Sequence, residues 1–147
     1  MVDLDVLLEK INSIQNCLKR VHDVVENDKS GLEDLNVQDI VVLNLQRAIQ
    51  LTIDIAFHVV ASEQLSLPQT LRDAFHILQE NKVIDLSLSK KMEKMVGFRN
   101  IAVHDYQSVN IEILRKIVDK HLGEIEDFYT TILIRYRPGR PGSGLTS

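Results

Sequence analysis

The sequence predicts an all-α fold, an up-and-down bundle of about five helices. Apolar residues recur at spacings of three and four over long stretches, and no segment shows a credible strand alternation. Breakers are nearly absent from the interior. Of 6 glycines and 3 prolines, Pro138, Gly139, Pro141, Gly142 and Gly144 fall in the last ten residues, leaving Gly31, Pro68, Gly97 and Gly123 as internal punctuation. At 147 residues, with 44% hydrophobic and 26% charged residues, the chain has the length and composition of one folded domain.

The first helix starts at Asp3, an N-cap residue type, and carries Leu4, Leu7, Leu8, Ile11, Ile14, Leu18, Val21 and Val25 on one face. It stops near Asn27-Asp28-Lys29-Ser30-Gly31, where turn chemistry ends in a glycine able to take positive φ. The second runs from near Asn36 to about Ser62 with Ile40, Val41, Leu45, Ala48, Ile49, Ala56, Val59 and Val60. Its β-branched content suits a strand, but more than twenty residues without a turn signal require a helix. Pro68 suits the first turn of a third helix, Thr70 to about Asn81, with Leu71, Phe75 and Leu78 buried. A fourth, capped by Ser87 or Ser89, buries Met92, Met95, Val96 and Phe98 and reaches about Val103. The last begins near Asn110, with Glu112 in its first turn, and runs through Ile113, Ile117, Leu122, Ile125, Phe128 and Ile132 to about Arg135. The helical domain is therefore set at 1–136, and 137–147 (RPGRPGSGLTS) is read as a flexible tail, native or vector-derived.

Seventeen Lys and Arg against 21 Asp and Glu give a net charge of −4, which neither announces nor excludes a nucleic-acid partner, because a local basic patch can sit in an acidic protein. The single cysteine, Cys17, excludes an internal disulfide and any multi-cysteine zinc site, and points to a reducing compartment. An acidic N-terminus and the lack of an apolar run near the roughly 20 residues of a membrane span argue against secretion and insertion. The expected location is cytoplasmic, with no membrane partner.

Polar chemistry concentrates in Gly97-Phe98-Arg99-Asn100-Ile101-Ala102-Val103-His104-Asp105-Tyr106. Asn100 and His104 are i and i+4, so on a helix they share a face and the amide can orient the imidazole. Arg99 lies about 100° around from Asn100, within reach of a common ligand. A neutral imidazole can take the proton of a ribose 2′-hydroxyl, and a guanidinium can stabilise charge growing on phosphoryl oxygens, without a metal. The spacing alone equally fits a helix C-terminus with His104 on the dipole and Arg99 as a surface charge.

The string RNIAVHDY contains the R-x4-H-x-Y pattern and resembles the HEPN superfamily, in particular the HepT toxins of HEPN/MNT toxin-antitoxin pairs. The helix-two string LNLQRAIQLTIDIAFHV and the string LPQTLRDAFHILQENKVI resemble the same family, and the likeness extends over residues 3 to 135. The resemblance implies a HEPN-like, homodimeric, metal-independent endoribonuclease with a composite site at the dimer interface, leaving a 2′,3′-cyclic phosphate. Arg99 and His104 match the catalytic motif positions, and Asn100 the polar residue that follows the Arg. Tyr106 matches the tyrosine to which a partner MNT-type minimal nucleotidyltransferase antitoxin transfers AMP. AMP adds an anionic phosphate and bulk two residues from His104, which suits an off switch on RNA cleavage. A tyrosine packed at a helix end through its hydroxyl is the plain structural alternative for Tyr106.

A second polar set, Asn44, Arg47, Asp54 and His58, lies along one stripe of the otherwise apolar second helix, with Asp54 and His58 spaced to pair. Arg47, Asp54 and His58 are support candidates for the site; the competing reading is a hydrogen-bonded network fixing helix register. Lys90, Lys91 and Lys94 could steer RNA or form a solvated face. His22, His76 and His121 stand singly, without metal-ligand spacing, and Cys17, Met92 and Met95 fit packing roles. No metal, no cofactor and, for want of a Gly-rich phosphate loop, no ATP hydrolysis by this chain are expected. The alternative function is a non-catalytic HEPN-type subunit that presents substrate or nucleotide to a nucleotidyltransferase.

Overall fold

The computed structural model describes residues 1–138, all helix, turn and loop: α1 (Leu4–Asn27), α2 (Leu35–Ser62), α3 (Leu71–Glu80), α4 (Leu86–His104), α5 (Ile111–Lys116) and α6 (Leu122–Tyr136). Short 3-10 turns occupy Gly31–Glu33 and Tyr106–Ser108. The segment from 139 onward, most of the expected tail, lies outside the described residues. α2 is the central helix. It pairs along α1, packs on α3 and α4, and touches α6, which also closes against α1 and α4. Its inner face, Val41, Leu45, Ala48, Ile49, Ile53, Ala56 and Val60, meets Leu7, Ile11, Ile14 and Leu18 of α1 in one continuous core. Phe75 of α3 meets Phe128 of α6 edge-to-face at 5.4 Å between centroids.

Local chemistry sets the helix starts. The Asp3 carboxylate accepts from the Asp5 and Val6 amides, Thr70 Oγ1 from Asp73, and Asn110 Oδ1 from Glu112 and Ile113. Two caps differ from expectation. Asp34 caps α2, so the helix starts at Leu35, and Asp85 caps α4 by accepting from Leu88 N at 2.7 Å. A carboxylate outcompetes the Ser87 and Ser89 hydroxyls for the bare amides, and Ser89 sits buried inside the helix, donating to Glu93. Pro68 lies two residues before the α3 cap, not in its first turn.

Gly31 takes the expected positive φ, +55°. α2 and α3 also end in left-handed residues, but these are Gln64 and Lys82. Leu65 N and Val83 N reach back to the carbonyls of Val60 and Leu78, satisfying the helix ends, and burial of Val83 offsets the cost of a non-glycine there. Gly97, inside α4, has a packing role: a Cβ there would stand 2.7 Å from Arg72 Nη2.

The last helix is not uniform. A π-helical turn, Ile117–His121, joins α5 to α6. The buried stripe Leu114, Ile117, Leu122, Ile125, Phe128, Ile132 contains one step of five, and an i→i+5 turn brings residues so spaced onto one face. Leu114 is the stripe member, while Ile113, expected there, points to solvent.

By length and composition α2 also meets the criterion for a membrane span, contrary to the sequence expectation; half of its most apolar window is buried in this bundle. Its apolar side is the core of the domain, and its other side is polar.

Candidate functional site

That other side of α2 forms a wall of a cleft of about 490 Å³ between α1, α2 and α4. Ser13 and Cys17 line it from α1, Gln46, Arg47, Gln50, Leu51 and Asp54 from α2, and Arg99 and Val103 from α4. Arg47 and Asp54, read from the helix-two stripe, thus share a cavity with Arg99, about 50 residues later in the chain. The helix period explains the wall: Asp39, Leu43, Arg47, Gln50 and Asp54 fall within an arc of about 80°. Because α2 has a buried and a polar side, only the latter can carry them.

Arg99 is half-buried. Its Nη1 donates to Asn100 Oδ1 at 3.1 Å, while its Nε is buried without a hydrogen-bond partner among the described residues. Gln50 repeats the pattern: Nε2 donates to Asp54 Oδ1 at 2.9 Å, and the buried Oε1 has no partner among the described residues. A buried donor and a buried acceptor, both on cleft-lining side chains and both unpaired among the described residues, are groups that a ligand or a second chain can satisfy. The Arg47 guanidinium adds a second cation. It tends to lower the Cys17 thiol pKa, although burial outweighs it and pushes that thiol up.

The remaining motif residues lie at the open end of α4. His104 is exposed in the last helical turn, where the helix dipole favours a cation. The expected Asn100–His104 hydrogen bond does not form; the Asn100 acceptor is engaged by Arg99, its immediate neighbour. Nor does His104 line the cleft, since five helical residues turn it about 140° from Arg99.

Tyr106 follows in the 3-10 turn, 46% exposed, and its hydroxyl donates to Asp39 Oδ1 of α2. Burial pushes the phenol up to about 12, with the Asp39 hydrogen bond and charge adding in the same direction. Asp105, the adjacent carboxylate, is engaged by Ser108 Oγ at 2.5 Å. Asp39 is a site residue that the sequence motifs do not single out. It lies 67 residues from Tyr106, and its only sequence signal is its place on the Arg47–Asp54 face.

The helix-two stripe divides. Asp54 accepts from Gln50 instead of pairing with His58, whose Nε2 accepts the Asp3 amide at 3.1 Å and so ties α2 to the start of α1. Burial lowers the His58 pKa from 6.5, with Lys10 and the terminal ammonium helping and Asp3 opposing. Asn44 folds back onto its own helix, donating to the Ile40 carbonyl. His58 and Asn44 thus serve structure, and only Arg47 and Asp54 reach the cleft. Lys90, Lys91 and Lys94 face solvent, Lys91 bordering a separate recess with Asp85 and Asp127. His76 pairs with Glu80 and His121 with Glu124. Met92 and Met95 are core residues. Among the described residues no three His, Cys, Asp or Glu side chains cluster closely enough to hold a metal ion.

Comparison with known proteins gives the same family repeatedly. The model of the HepT-like ribonuclease family matches residues 14–132. The mRNA nuclease HepT of Shewanella oneidensis is 43% identical over 128 residues, spanning 87% of this chain and 96% of that protein. A toxin-antitoxin crystal structure with AMP-PNP superposes at a TM-score of 0.83 with 42% identity, covering 87% of this chain and 97% of the other. The tri-AMPylated Shewanella oneidensis HEPN toxin in complex with MNT antitoxin gives 0.82 and 43%, over 87% and 96%. The cytosolic protein YutE of Bacillus subtilis shares the fold at 0.77 with 15% identity, over 89% of this chain and 88% of its own.

Proposed function

Because the chain belongs to the HepT-like ribonuclease family, we propose that it is the toxin of a toxin-antitoxin pair, an endoribonuclease acting on RNA through Arg99, Asn100 and His104. The observation that carries the proposal is the half-buried Arg99, with an unsatisfied Nε, in a cleft that also holds Arg47. A guanidinium with free donors suits a phosphodiester better than a structural ion pair would.

The site is composite. In one chain His104 stands apart from the Arg99 cleft, and two apolar side chains, Leu43 on the Arg47–Asp54 face of α2 and Val103 beside His104 on α4, are left 42% and 38% exposed. A second copy covering these faces brings two cation-and-imidazole sets into one groove, which supports a homodimer. One His104 takes the proton of the ribose 2′-hydroxyl as that oxygen attacks the adjacent phosphorus; the other protonates the departing 5′-oxygen, and two-fold symmetry makes the copies interchangeable. Arg99 meets the charge growing on the phosphoryl oxygens, Asn100 holds Arg99, and Arg47 and Asp54 complete the groove. The products are a 2′,3′-cyclic phosphate and a 5′-hydroxyl, with no metal in any step. Tyr106 is the acceptor of AMP from an MNT-type nucleotidyltransferase antitoxin, and the modified turn closes the groove to RNA by charge and bulk. The protein works in the cytoplasm, where its RNA substrate is.

The test is cleavage of a labelled structured RNA in EDTA by wild type and His104→Ala, both shown unmodified by mass, with product ends analysed. Wild type cuts and leaves cyclic phosphate, and the variant falls by at least about 100-fold. Chelator-sensitive cutting that His104→Ala leaves unchanged overturns the mechanism. If neither protein cuts across several RNA classes, the non-catalytic binding-subunit reading replaces it.

A further inference from the structure

We propose that Asp39 is the general base for nucleotidyl transfer onto Tyr106: its carboxylate takes the phenolic proton as the tyrosine oxygen attacks the α-phosphorus of a nucleoside triphosphate. This rests on the reading of Tyr106 as the AMP acceptor. The O–P bond to tyrosine forms as the α-phosphorus bond to the bridging oxygen breaks. Pyrophosphate leaves with that electron pair, and the proton passes from Asp39 to solvent. The triphosphate is ATP, brought by the partner nucleotidyltransferase.

Four observations lead there. The Tyr106 hydroxyl already donates to Asp39, so donor and base are in hydrogen-bond contact before any partner arrives. The phenol, held up to about 12, is protonated at neutral pH and is a weak nucleophile until its proton is removed. Asp105, the competing carboxylate, is engaged by Ser108, and His104 makes no hydrogen bond to Tyr106 among the described residues. Tyr106 is at the same time open to solvent, as an acceptor approached by another protein must be. An aspartate accepting the acceptor hydroxyl's proton is the arrangement protein kinases use in phosphoryl transfer. Here the base is carried by the acceptor chain itself, on the first turns of α2. Asp39 is about 12 Å along the helix from Arg47, so one face of α2 serves both the modification and the cleavage groove.

The experiment follows AMP incorporation with time, by intact mass and peptide mapping. It uses the full chain mixed with its cognate MNT-type nucleotidyltransferase and ATP, comparing wild type, Asp39→Asn, Asp39→Glu and Tyr106→Phe. Thermal unfolding confirms that each variant is folded. We expect Asp39→Asn to slow the first transfer by about 100-fold, with a rate that climbs with pH where wild type is flat, and Asp39→Glu to recover part of the loss. An Asp39→Asn rate equal to or above wild type overturns the proposal, making the contact a bystander or a latch. A slow Asp39→Asn with an unchanged pH profile and no rescue by glutamate also overturns it, leaving Asp39 to position the ring. Wild type modified elsewhere than Tyr106 defeats the acceptor reading itself, whatever Asp39 does.

Discussion

Replacing Asn100 with alanine removes the one hydrogen bond that the Arg99 guanidinium makes among the described residues, Nη1 to Asn100 Oδ1 at 3.1 Å. A hydrogen bond to a charged group is worth about 1.5 to 3 kcal/mol. Both side chains are only half-buried, so water competes and the lower end applies, about 1.5 kcal/mol. At about 1.4 kcal/mol per decade, RNA cleavage should fall roughly tenfold. In the proposed site the loss belongs in kcat, because Arg99 would keep its charge and still attract phosphate while spending less time aimed at the reacting centre. Arg99→Ala should cost far more, on the order of 100- to 1000-fold, as removal of a preorganised charge-stabilising group does. Adding Asn100→Ala to Arg99→Ala should then change little, since the bond it removes is already gone. The assay is single-turnover cleavage of a labelled RNA at several concentrations, with melting curves to show that each variant is folded. Asn100→Ala within twofold of wild type would show that the bond does not aim Arg99. A full additional tenfold loss in the Arg99→Ala background would falsify the coupling and give Asn100 a role of its own.

Two further outcomes concern stability. The folded-state pKa of His58 lies below 6.5, so as pH falls the unfolded chain binds a proton before the folded one does. The stabilisation from neutral His58 is complete above about pH 6.5 and is lost as pH falls through the folded-state value. Protonation also removes the Nε2 lone pair that accepts the Asp3 amide. The melting temperature of wild type should therefore drop more than that of His58→Gln between about pH 7.5 and pH 5, and parallel curves would refute this. Gly97→Ala gains about 1 kcal/mol of helix propensity but displaces Arg72, whose Nε donates to the Glu93 carbonyl at 3.2 Å. The two should nearly cancel in wild type. With Arg72→Ala already present, Gly97→Ala should stabilise by about 1 kcal/mol in urea unfolding, and destabilisation in both backgrounds would mean that the helices themselves cannot adjust.

Much of this architecture is legible in the order of residues because its determinants are local. Asp3 caps where expected and Asn110 stands at the expected start of the last helix, since a cap depends on a side chain and amides two or three residues away. The stripes of α1 and α4 follow from period, except that Leu8, at the edge of the expected α1 face, is exposed. The departures also have identifiable causes. Asp85 and Ser87 are both good cap residue types, and the charge of the Asp85 carboxylate decides between them at the bare helix amides. The π-helical turn is announced by the five-residue step from Ile117 to Leu122, a signal that a search for steps of three and four passes over. Gln64 and Lys82 carry no turn signature, because tertiary burial around Val83 and Leu65 pulls them into left-handed geometry.

The site divides along the same line. The residue types of the motif, the polarity of one α2 face and the family resemblance are all contained in the order of amino acids, because helical period places side chains on faces without reference to the rest of the chain. Which faces meet is not. Arg99 joins Arg47 and Asp54, His58 leaves the stripe for the start of α1, and Tyr106 finds Asp39 only when α4 and the turn after it pack across α2. Contacts between residues about 50 to 70 positions apart depend on helix crossing and rotation. Those are set by the summed packing of the core rather than by any short string.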